Sequence, residues 1–309
     1  MSLSTPVLFL TFNRPETTSR VFEQIARARP STLLLVSDGP RPDREGERER
    51  VEATRALVQQ VDWPCEVLTD FSDINMGCKD RIASALAWTF GLVEEAIVLE
   101  DDCLPDPSFF DYCEQLLDHY RDDRRVMAIT GNNFQAGQSR TPHSYYFSKY
   151  FHCWGWATWR RAWESFDREL TSWPEFQATG ALASSADSRP EEEYWDRIFT
   201  AQHEGKICSW AYPFQYSCWA QSGLTVTPNV NLVSNIGFGP DATHTTNDSP
   251  QANVPVQSIG ELRHPPLVVR NKAADRYTFA TCYQRPPRLR RLQRKIQRYV
   301  LSRPRRSAA

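Results

Sequence analysis

The first 130 residues alternate short apolar runs with charged, helix-prone stretches, and this alternation limits the folds open to the 309-residue chain. The apolar, β-rich runs occupy residues 7–11, 32–37, 65–69, 96–99 and 126–130. The helix-prone stretches between them occupy residues 14–28, 44–61, 81–93 and 110–120. Strands that are separated by helices of this length form a parallel sheet with helices packed on its faces. We therefore predict an α/β fold with a mixed, mainly parallel sheet and helices on both faces.

Polar, turn-prone segments follow four of these apolar runs. They are Asn13-Arg14, Ser37-Asp38-Gly39, residues 73–79 and Glu100-Asp101-Asp102. In open parallel sheets the ligand lies beyond the carboxyl ends of the strands. The four segments are therefore predicted to meet at one edge of the sheet and to form a site there.

The acidic triplet Glu100-Asp101-Asp102 is the sharpest of these features, because it directly follows the apolar run 96–99. Three adjacent carboxylates repel one another and need a compensating positive charge. Oxygen ligands of this kind suit Mg²⁺ or Mn²⁺ that is bound together with substrate phosphates. The alternative interpretation is a solvated acidic turn, which the strand context disfavours.

Four segments carry a family resemblance: residues 6–15 (PVLFLTFNRP), Ser37-Asp38-Gly39, Asn75-Met76-Gly77 and residues 100–107 (EDDCLPDP). In this order they resemble family-2-like GT-A glycosyltransferases, and the Glu-Asp-Asp form is similar to that of animal N-acetylglucosaminyltransferase I. The resemblance is good over residues 5–135 and weaker over 145–245. It implies a Rossmann-like GT-A fold with Mn²⁺ or Mg²⁺ as cofactor. It also implies inverting transfer of a sugar from a nucleotide diphosphate sugar, UDP-sugar first, to a hydroxyl of a glycan or lipid-linked acceptor.

The resemblance further implies roles for individual residues. Asp102 would bind the metal ion, and His244, which ends the glycine-bearing loop 234–244, would complete its ligand shell. Asp101 would bond the ribose, Glu100 would face the nucleotide or the donor sugar, and Asp38 would contact the base or ribose. The remaining predicted nucleotide contacts are Thr11, Asn13, Arg14, Asn75, Lys79 and Arg81. Alternatively, Arg14 is a surface residue at the start of a helix, and Lys79 and Arg81 belong to a solvated helix face. His244 is alternatively a polar surface residue of a loop.

The segment Tyr194-Trp195-Asp196 is predicted to open a helix and to hold the catalytic base. Inverting transfer requires a carboxylate that deprotonates the acceptor hydroxyl. Asp196 is the first candidate, by its resemblance to the corresponding segment of N-acetylglucosaminyltransferase I, and Glu193 is the second; Trp195 would contact the substrate. The alternative is that Trp195 is core and that Asp196 is merely a carboxylate favoured near a helix N-terminus.

Residues 152–163 (HCWGWATWRRAW) concentrate tryptophan. Trp156, Trp159 and Trp163 recur with the spacing of one buried helical face, which favours a role in the core. Trp154 precedes this stripe and is predicted to stack on a sugar ring, because a similar WGW element lies near the acceptor site of some galactosyltransferases of this fold.

Two other functions stay open. A nucleotidyltransferase would share the sheet and the metal, but its usual glycine-rich basic loop after the first strand is absent from residues 11–15. A non-catalytic carbohydrate-binding protein would use the aromatic cluster, but it would not need the acidic triplet. Nucleic-acid binding is not expected, because residues before 285 carry 26 basic against 38 acidic side chains.

The chain is divided by composition near residue 284. Residues 1–284 are predicted to form the GT-A domain, with a donor half at about 5–135 and an acceptor half at about 145–260. Residues 285–309 carry ten Lys or Arg and no Asp or Glu, and 288–300 have the pattern of a basic amphipathic helix. This tail would contact the inner face of a membrane, or alternatively pack on the acidic body. Scattered cysteines and the absence of an export signal predict reduced thiols and a cytoplasmic location.

Overall fold

A computed structural model describes residues 2–238 and 251–284. The strands are β1 (Val7–Thr11), β2 (Thr32–Ser37), β3 (Glu66–Phe71), β4 (Glu95–Glu100), β5 (Cys103–Pro105), β6 (Val126–Thr130), β7 (Tyr145–Ser148), β8 (Trp156–Trp159), β9 (Leu224–Pro228) and β10 (Val233–Asn235). The helices are α1 (Pro15–Ala28), α2 (Glu47–Val58), α3 (Cys78–Leu92), α4 (Ser108–His119), α5 (Arg160–Trp163), α6 (Trp173–Ala178), α7 (Ala181–Ser185), α8 (Arg189–His203), α9 (Ala211–Ala220) and α10 (Lys272–Thr278), followed by a π-helical turn, Phe279–Tyr283.

Eight of the strands form one mixed sheet in the order β3-β2-β1-β4-β8-β6-β9-β7. The four strands from β3 to β4 are parallel, β8 is antiparallel to both of its neighbours, and β7 is antiparallel to β9. Strands β1, β2 and β4 are apolar on both faces, which is typical of parallel strands covered by helices. The predicted mixed α/β sheet is confirmed.

Helices cover both faces of this sheet. On one face α1 and α4 pack against side chains such as Phe9 and Leu35. On the other face α3 and α9 pack against Leu8 and Val98. A third core cluster, centred on Trp173, Trp195 and Phe199, holds α6 to α9 together beside the sheet. Because the helices cover the faces of the sheet, the loops at the carboxyl edge of its parallel strands are free to form a site.

The helix predicted for the tryptophan stripe is wrong in part. Residues 156–159 form strand β8, and only residues 160–163 are helical. Trp156 and Trp159 are both buried, but they lie on opposite faces of the sheet because their separation in a strand is odd. The predicted role in the core is confirmed, and the aromatic spacing was misleading about the secondary structure.

Helix α8 begins earlier than predicted. It starts at Arg189 with Pro190 in its first turn, so Tyr194, Trp195 and Asp196 lie in the middle of the helix. Proline is favoured in the first turn because its missing N–H has no partner there in any case. Asp196 is therefore not a residue of the helix N-terminus.

A short antiparallel ladder connects the acidic triplet to the later part of the chain. Strand β5 directly follows Asp102 and pairs with β10, so Cys103 lies opposite Asn235. The backbone N–H of Ile236 also donates to the carbonyl of Asp102, at 2.8 Å. A Cβ atom on Gly237 would lie 2.1 Å from Asp102 Oδ2, so this close passage requires glycine.

In the described ranges, no helix combines the length and apolar character needed to cross a membrane.

Candidate functional site

A cavity of about 300 Å³ lies at the carboxyl edge of the parallel strands. The four loops that the sequence singled out all contribute to its lining. They supply Arg14 after β1, Asp38 after β2, Asn75 after β3 and the triplet after β4. We call this the first cavity. Its volume lies at the lower end of the range of ~300–1,000 Å³ that is usual for small-molecule sites.

The triplet in this cavity is held by Arg14. Its Nη1 atom lies 2.7 Å from Asp102 Oδ2 and 3.6 Å from Asp101 Oδ1. Asp101 Oδ2 also accepts a hydrogen bond of 3.0 Å from the backbone N–H of Phe12. On the other side of Asp102, Asn235 Nδ2 lies 3.3 Å from Oδ1. The corner therefore joins β1, β4 and β10 through polar contacts.

This corner carries more negative charge than Arg14 neutralises. Burial raises the pKa of Glu100, and repulsion by Asp102 and Asp101 raises it further. Burial and repulsion by Asp102 likewise raise the pKa of Asp101, although Arg14 opposes the shift. A further cation placed here would relieve this repulsion.

The acidic triplet does not by itself form a complete metal site. Within residues 2–238 and 251–284, no three His, Cys, Asp or Glu side chains converge to form a complete metal shell. Mg²⁺ commonly needs only one or two carboxylates when substrate phosphates supply other ligands. The carboxylate of Asp102, the predicted ligand, meets that requirement. His244, the predicted histidine ligand, lies outside the described residues.

Asp38 is fully engaged by the protein. Its Oδ1 accepts from the backbone N–H groups of Gly39 and Met76, both at 2.9 Å. Its Oδ2 accepts from Gly77 N–H and from Asn75 Nδ2, both at 3.0 Å. A carboxylate has about four lone-pair sites, so these bonds use its accepting capacity. Asp38 positions the loop that leads into α3, and its predicted contact with a base or ribose stays a prediction.

Three arginines line the first cavity, and each is paired with a carboxylate: Arg14 with Asp102, Arg41 with Glu47 and Arg81 with Asp70. Besides Arg14, the lining includes Arg41 and Arg81. The guanidinium of Arg41 lies over the ring of Phe12, with 5.5 Å to the centroid. The buried Arg81 pairs with Asp70 Oδ2 at 2.9 Å, and its Nε atom has no hydrogen-bond partner among the described residues.

The other predicted nucleotide contacts divide into two groups. Thr11 lines the first cavity, and its hydroxyl donates to the carbonyl of Val36. Asn13 and Lys79 are not among the lining residues: Asn13 Nδ2 donates to Glu47 at 2.8 Å, and Lys79 Nζ lies 3.5 Å from Glu169. Their predicted role therefore has no geometric support.

A second cavity of about 510 Å³ adjoins the first. Cys78, Glu100 and Trp154 line both cavities, so the two are neighbours that share these side chains. The ring of Trp154 makes edge contacts with Phe134 and Phe238, with centroids 5.7 and 5.6 Å away. Trp154 thus lies at the boundary between the two cavities.

The predicted residues of α8 differ in their relation to the second cavity. Trp195 belongs to its wall but is 1% exposed and is part of the core. Asp196 and Glu193 line neither cavity. Asp196 Oδ1 accepts from Gln177 Nε2 at 2.6 Å, and Glu193 pairs with Arg189 at 2.9 Å. The structure does not bring these carboxylates together with the triplet.

Residues that sequence reasoning missed include Arg41, Asn235 and His152. Arg41 follows the Ser-Asp-Gly turn by two residues, a position that could have signalled its presence at the same sheet edge. Asn235 could not have been found, because its contact with Asp102 depends on the pairing of β5 with β10. His152 lines the second cavity and stands two residues before Trp154.

Comparison with known proteins does not assign the chain to a family. No protein-family model matches it, and no curated protein matches it either. The side chains of the two cavities are consequently the basis for a functional assignment.

Proposed function

We propose that this chain is a metal-dependent glycosyltransferase of the GT-A type. It would transfer a sugar from a nucleotide diphosphate sugar to a hydroxyl group of a glycan or glycoconjugate. The observation that carries the proposal is the lining of the first cavity, where three consecutive carboxylates at the end of β4 meet arginines from the loop after β1, the loop after β2 and the first turn of α3. A diphosphate with a bound dication matches both charges, because the cation joins the phosphates to the carboxylates. The resemblance described above favours UDP-sugar as the donor.

The residues of the corner would divide the work. Asp102 would hold Mn²⁺ or Mg²⁺ together with phosphate oxygens, and Asp101 would bond the ribose. When bound, the ion supplies positive charge that stabilises the departing diphosphate. Arg14 contacts both carboxylates, and its guanidinium geometry suits a phosphate oxygen equally well. Asp38 would act indirectly, by holding the Asn75–Gly77 turn at the edge of the cavity.

Calorimetric titration of UDP with and without Mn²⁺ tests this proposal. We expect the wild-type protein to bind UDP only when Mn²⁺ is present. Asp102→Asn should weaken that binding at least ~10-fold, as loss of groups around a metal typically does. Asp111→Asn, an exposed aspartate of α4, is the matched control and should bind like the wild type.

Other outcomes identify the rival functions. A carbohydrate-binding protein would bind no nucleotide under either condition. A nucleotidyltransferase would release pyrophosphate from a nucleoside triphosphate and a sugar phosphate. Either result would refute the proposed transferase, whereas release of UDP from a UDP-sugar in the presence of Mn²⁺ would support it.

A further inference from the structure

The two cavities differ in their cationic side chains. The first is lined by three arginines, whereas no Lys or Arg of the described residues lines the second. Aromatic side chains dominate the second cavity, among them Phe134, Trp154, Trp210 and Tyr212. Aromatic walls that carry a few polar groups suit uncharged ligands. A phosphate or a carboxylate would lose its hydration in this cavity without gaining a cationic partner.

Two buried polar side chains, His152 and Asn132, line the second cavity. His152 is 9% exposed, and its ring makes an edge contact with Phe134 at 4.8 Å. Burial lowers the pKa of His152 to about 4, so its imidazole is uncharged at neutral pH. Asn132 is 1% exposed, and its Oδ1 atom has no hydrogen-bond partner in the described part of the chain.

His152 is the neutral base of this cavity. The other ionisable side chains that line the second cavity are Glu100, four cysteines and three tyrosines. A thiol or phenol becomes a base only after it has ionised, and Glu100 adjoins the proposed metal corner. The carboxylates predicted from the sequence, Asp196 and Glu193, do not reach the lining. Among the side chains that line this cavity, the imidazole of His152 is therefore the candidate acceptor for the proton of a bound hydroxyl.

We propose that the second cavity binds an uncharged sugar residue as the acceptor and that His152 accepts the proton of its attacking hydroxyl. This inference rests on the proposed function. The acceptor oxygen forms a bond to the anomeric carbon of the donor, and the bond from that carbon to the diphosphate oxygen breaks. The diphosphate leaves with the electron pair as nucleoside diphosphate. The hydroxyl proton moves to a ring nitrogen of His152, and the imidazolium then loses it to water.

Release of UDP from UDP-glucose, UDP-galactose and UDP-N-acetylglucosamine, with Mn²⁺ and neutral p-nitrophenyl glycosides as acceptor probes, tests the proposal. His152→Gln keeps a polar side chain but removes the base. It should lower acceptor-dependent turnover at least ~100-fold, the usual contribution of a general base. UDP binding in the presence of Mn²⁺ should stay within about twofold of wild type, which also shows that the variant is folded. His203→Gln, an exposed histidine outside both cavities, is the matched control.

A second variant locates the acceptor without removing the base. Cys208 is exposed and lines the second cavity, so Cys208→Tyr should raise the acceptor KM while UDP binding is unchanged. Glycosides of uronic acids should be poorer acceptors than their neutral counterparts. The proposal is overturned if His152→Gln turns over like the wild type while Asp196→Asn does not, or if Cys208→Tyr leaves the acceptor KM unchanged. Failure of UDP to bind the wild-type protein would instead refute the proposed function itself.

Discussion

Arg14 Nη1 lies 2.7 Å from Asp102 Oδ2, although the two residues are 88 positions apart in the chain. This contact joins the loop after β1 to the loop after β4. It gives the acidic triplet a counter-charge supplied by the protein itself. A dication bound to Asp102 would share that carboxylate with the arginine, so ligand binding and the stability of this corner should be coupled.

Replacing Arg14 by methionine should destabilise the protein by about 3 kcal/mol at pH 8, since it leaves buried carboxylates uncompensated. Arg14 lowers the pKa of Glu100 and Asp101, so its removal raises both values further. The folded state then binds more protons than the unfolded state, and stability falls as pH rises through that window. Urea unfolding should show a smaller loss at pH 5 than at pH 8.

Mn²⁺ should restore part of the stability that Arg14→Met loses at pH 8. Arg27→Met, which removes an exposed arginine paired with Glu23, is the control and should cost less than ~1 kcal/mol. Equal losses for the two variants would show that Arg14 is not the counter-charge of the triplet.

Replacing Gly237 by alanine should displace the Asp102 side chain. The new Cβ atom would lie 2.1 Å from Oδ2 and 2.7 Å from Cγ of Asp102. Overpacking of this kind costs ~1–3 kcal/mol, and Mn²⁺-dependent UDP binding should weaken in parallel. Gly91→Ala is the control: nothing lies within 4 Å of its added Cβ, and alanine in helix α3 should stabilise by up to ~1 kcal/mol. Unchanged urea midpoints for both variants would contradict the prediction.

Replacing Asp38 by asparagine should loosen the turn at Met76 and Gly77. The amide group keeps one accepting oxygen and turns a donor toward groups that are themselves donors. We expect a loss of about 2 kcal/mol in the free energy of unfolding and faster hydrogen exchange at the amides of Met76 and Gly77. The exposed Asp43→Asn should change neither quantity. Native exchange rates in Asp38→Asn would mean that the carboxylate does not hold this turn.

Two aspartates of one buried ion-pair cluster should respond to pH in opposite directions. Burial raises the pKa of Asp275 from 3.8 to about 6, despite its contacts with Ser148, Arg270 and Lys149. Between pH 3.8 and 6, Asp275 is therefore protonated in the folded protein and ionised in the unfolded chain. The free energy of unfolding falls as pH rises through this range. At ~1.4 kcal/mol per unit, Asp275→Asn should remove a loss of about 3 kcal/mol across this window.

Asp187 has the opposite sign. Burial alone would raise its pKa, but Lys149 and Arg270 outweigh burial and lower it. Its contribution to stability is therefore present above the unfolded pKa and is lost as pH falls. The free energy of unfolding should be measured in urea at several pH values and plotted against pH. The slope of this plot should change in opposite directions in Asp187→Asn and Asp275→Asn. Slopes that change in the same direction would contradict this prediction.

The sequence predicted the parallel half of the sheet well and the rest less well. Strand β1 is an apolar run bounded by turn residues, and it was predicted with its exact bounds because both faces of such a strand are buried. Strand β8 was missed because four residues rich in tryptophan satisfy a helical spacing as well as an extended one. Contacts between residues far apart in the sequence, such as that of Asp102 with Asn235, could not be predicted.

The same division holds for the candidate site. Loops at the ends of parallel strands meet by topology, so Arg14, Asp38 and the triplet could be predicted to lie together. Hydrogen bonding within the site could not be predicted: it depends on loop conformation, as in the four bonds that Asp38 accepts. The predicted base, Asp196, lines neither cavity, and its Oδ1 accepts from Gln177 instead.

The pairing of β5 with β10 has a consequence for synthesis on the ribosome. Asn235 and Gly237 reach Asp102 only after more than 130 further residues have been translated. A nascent chain that has just completed the first four strands already carries the acidic triplet but lacks the segment that lies over it. The proposed nucleotide binding should therefore begin only late in translation, and a chain released early would expose an unshielded cluster of carboxylates.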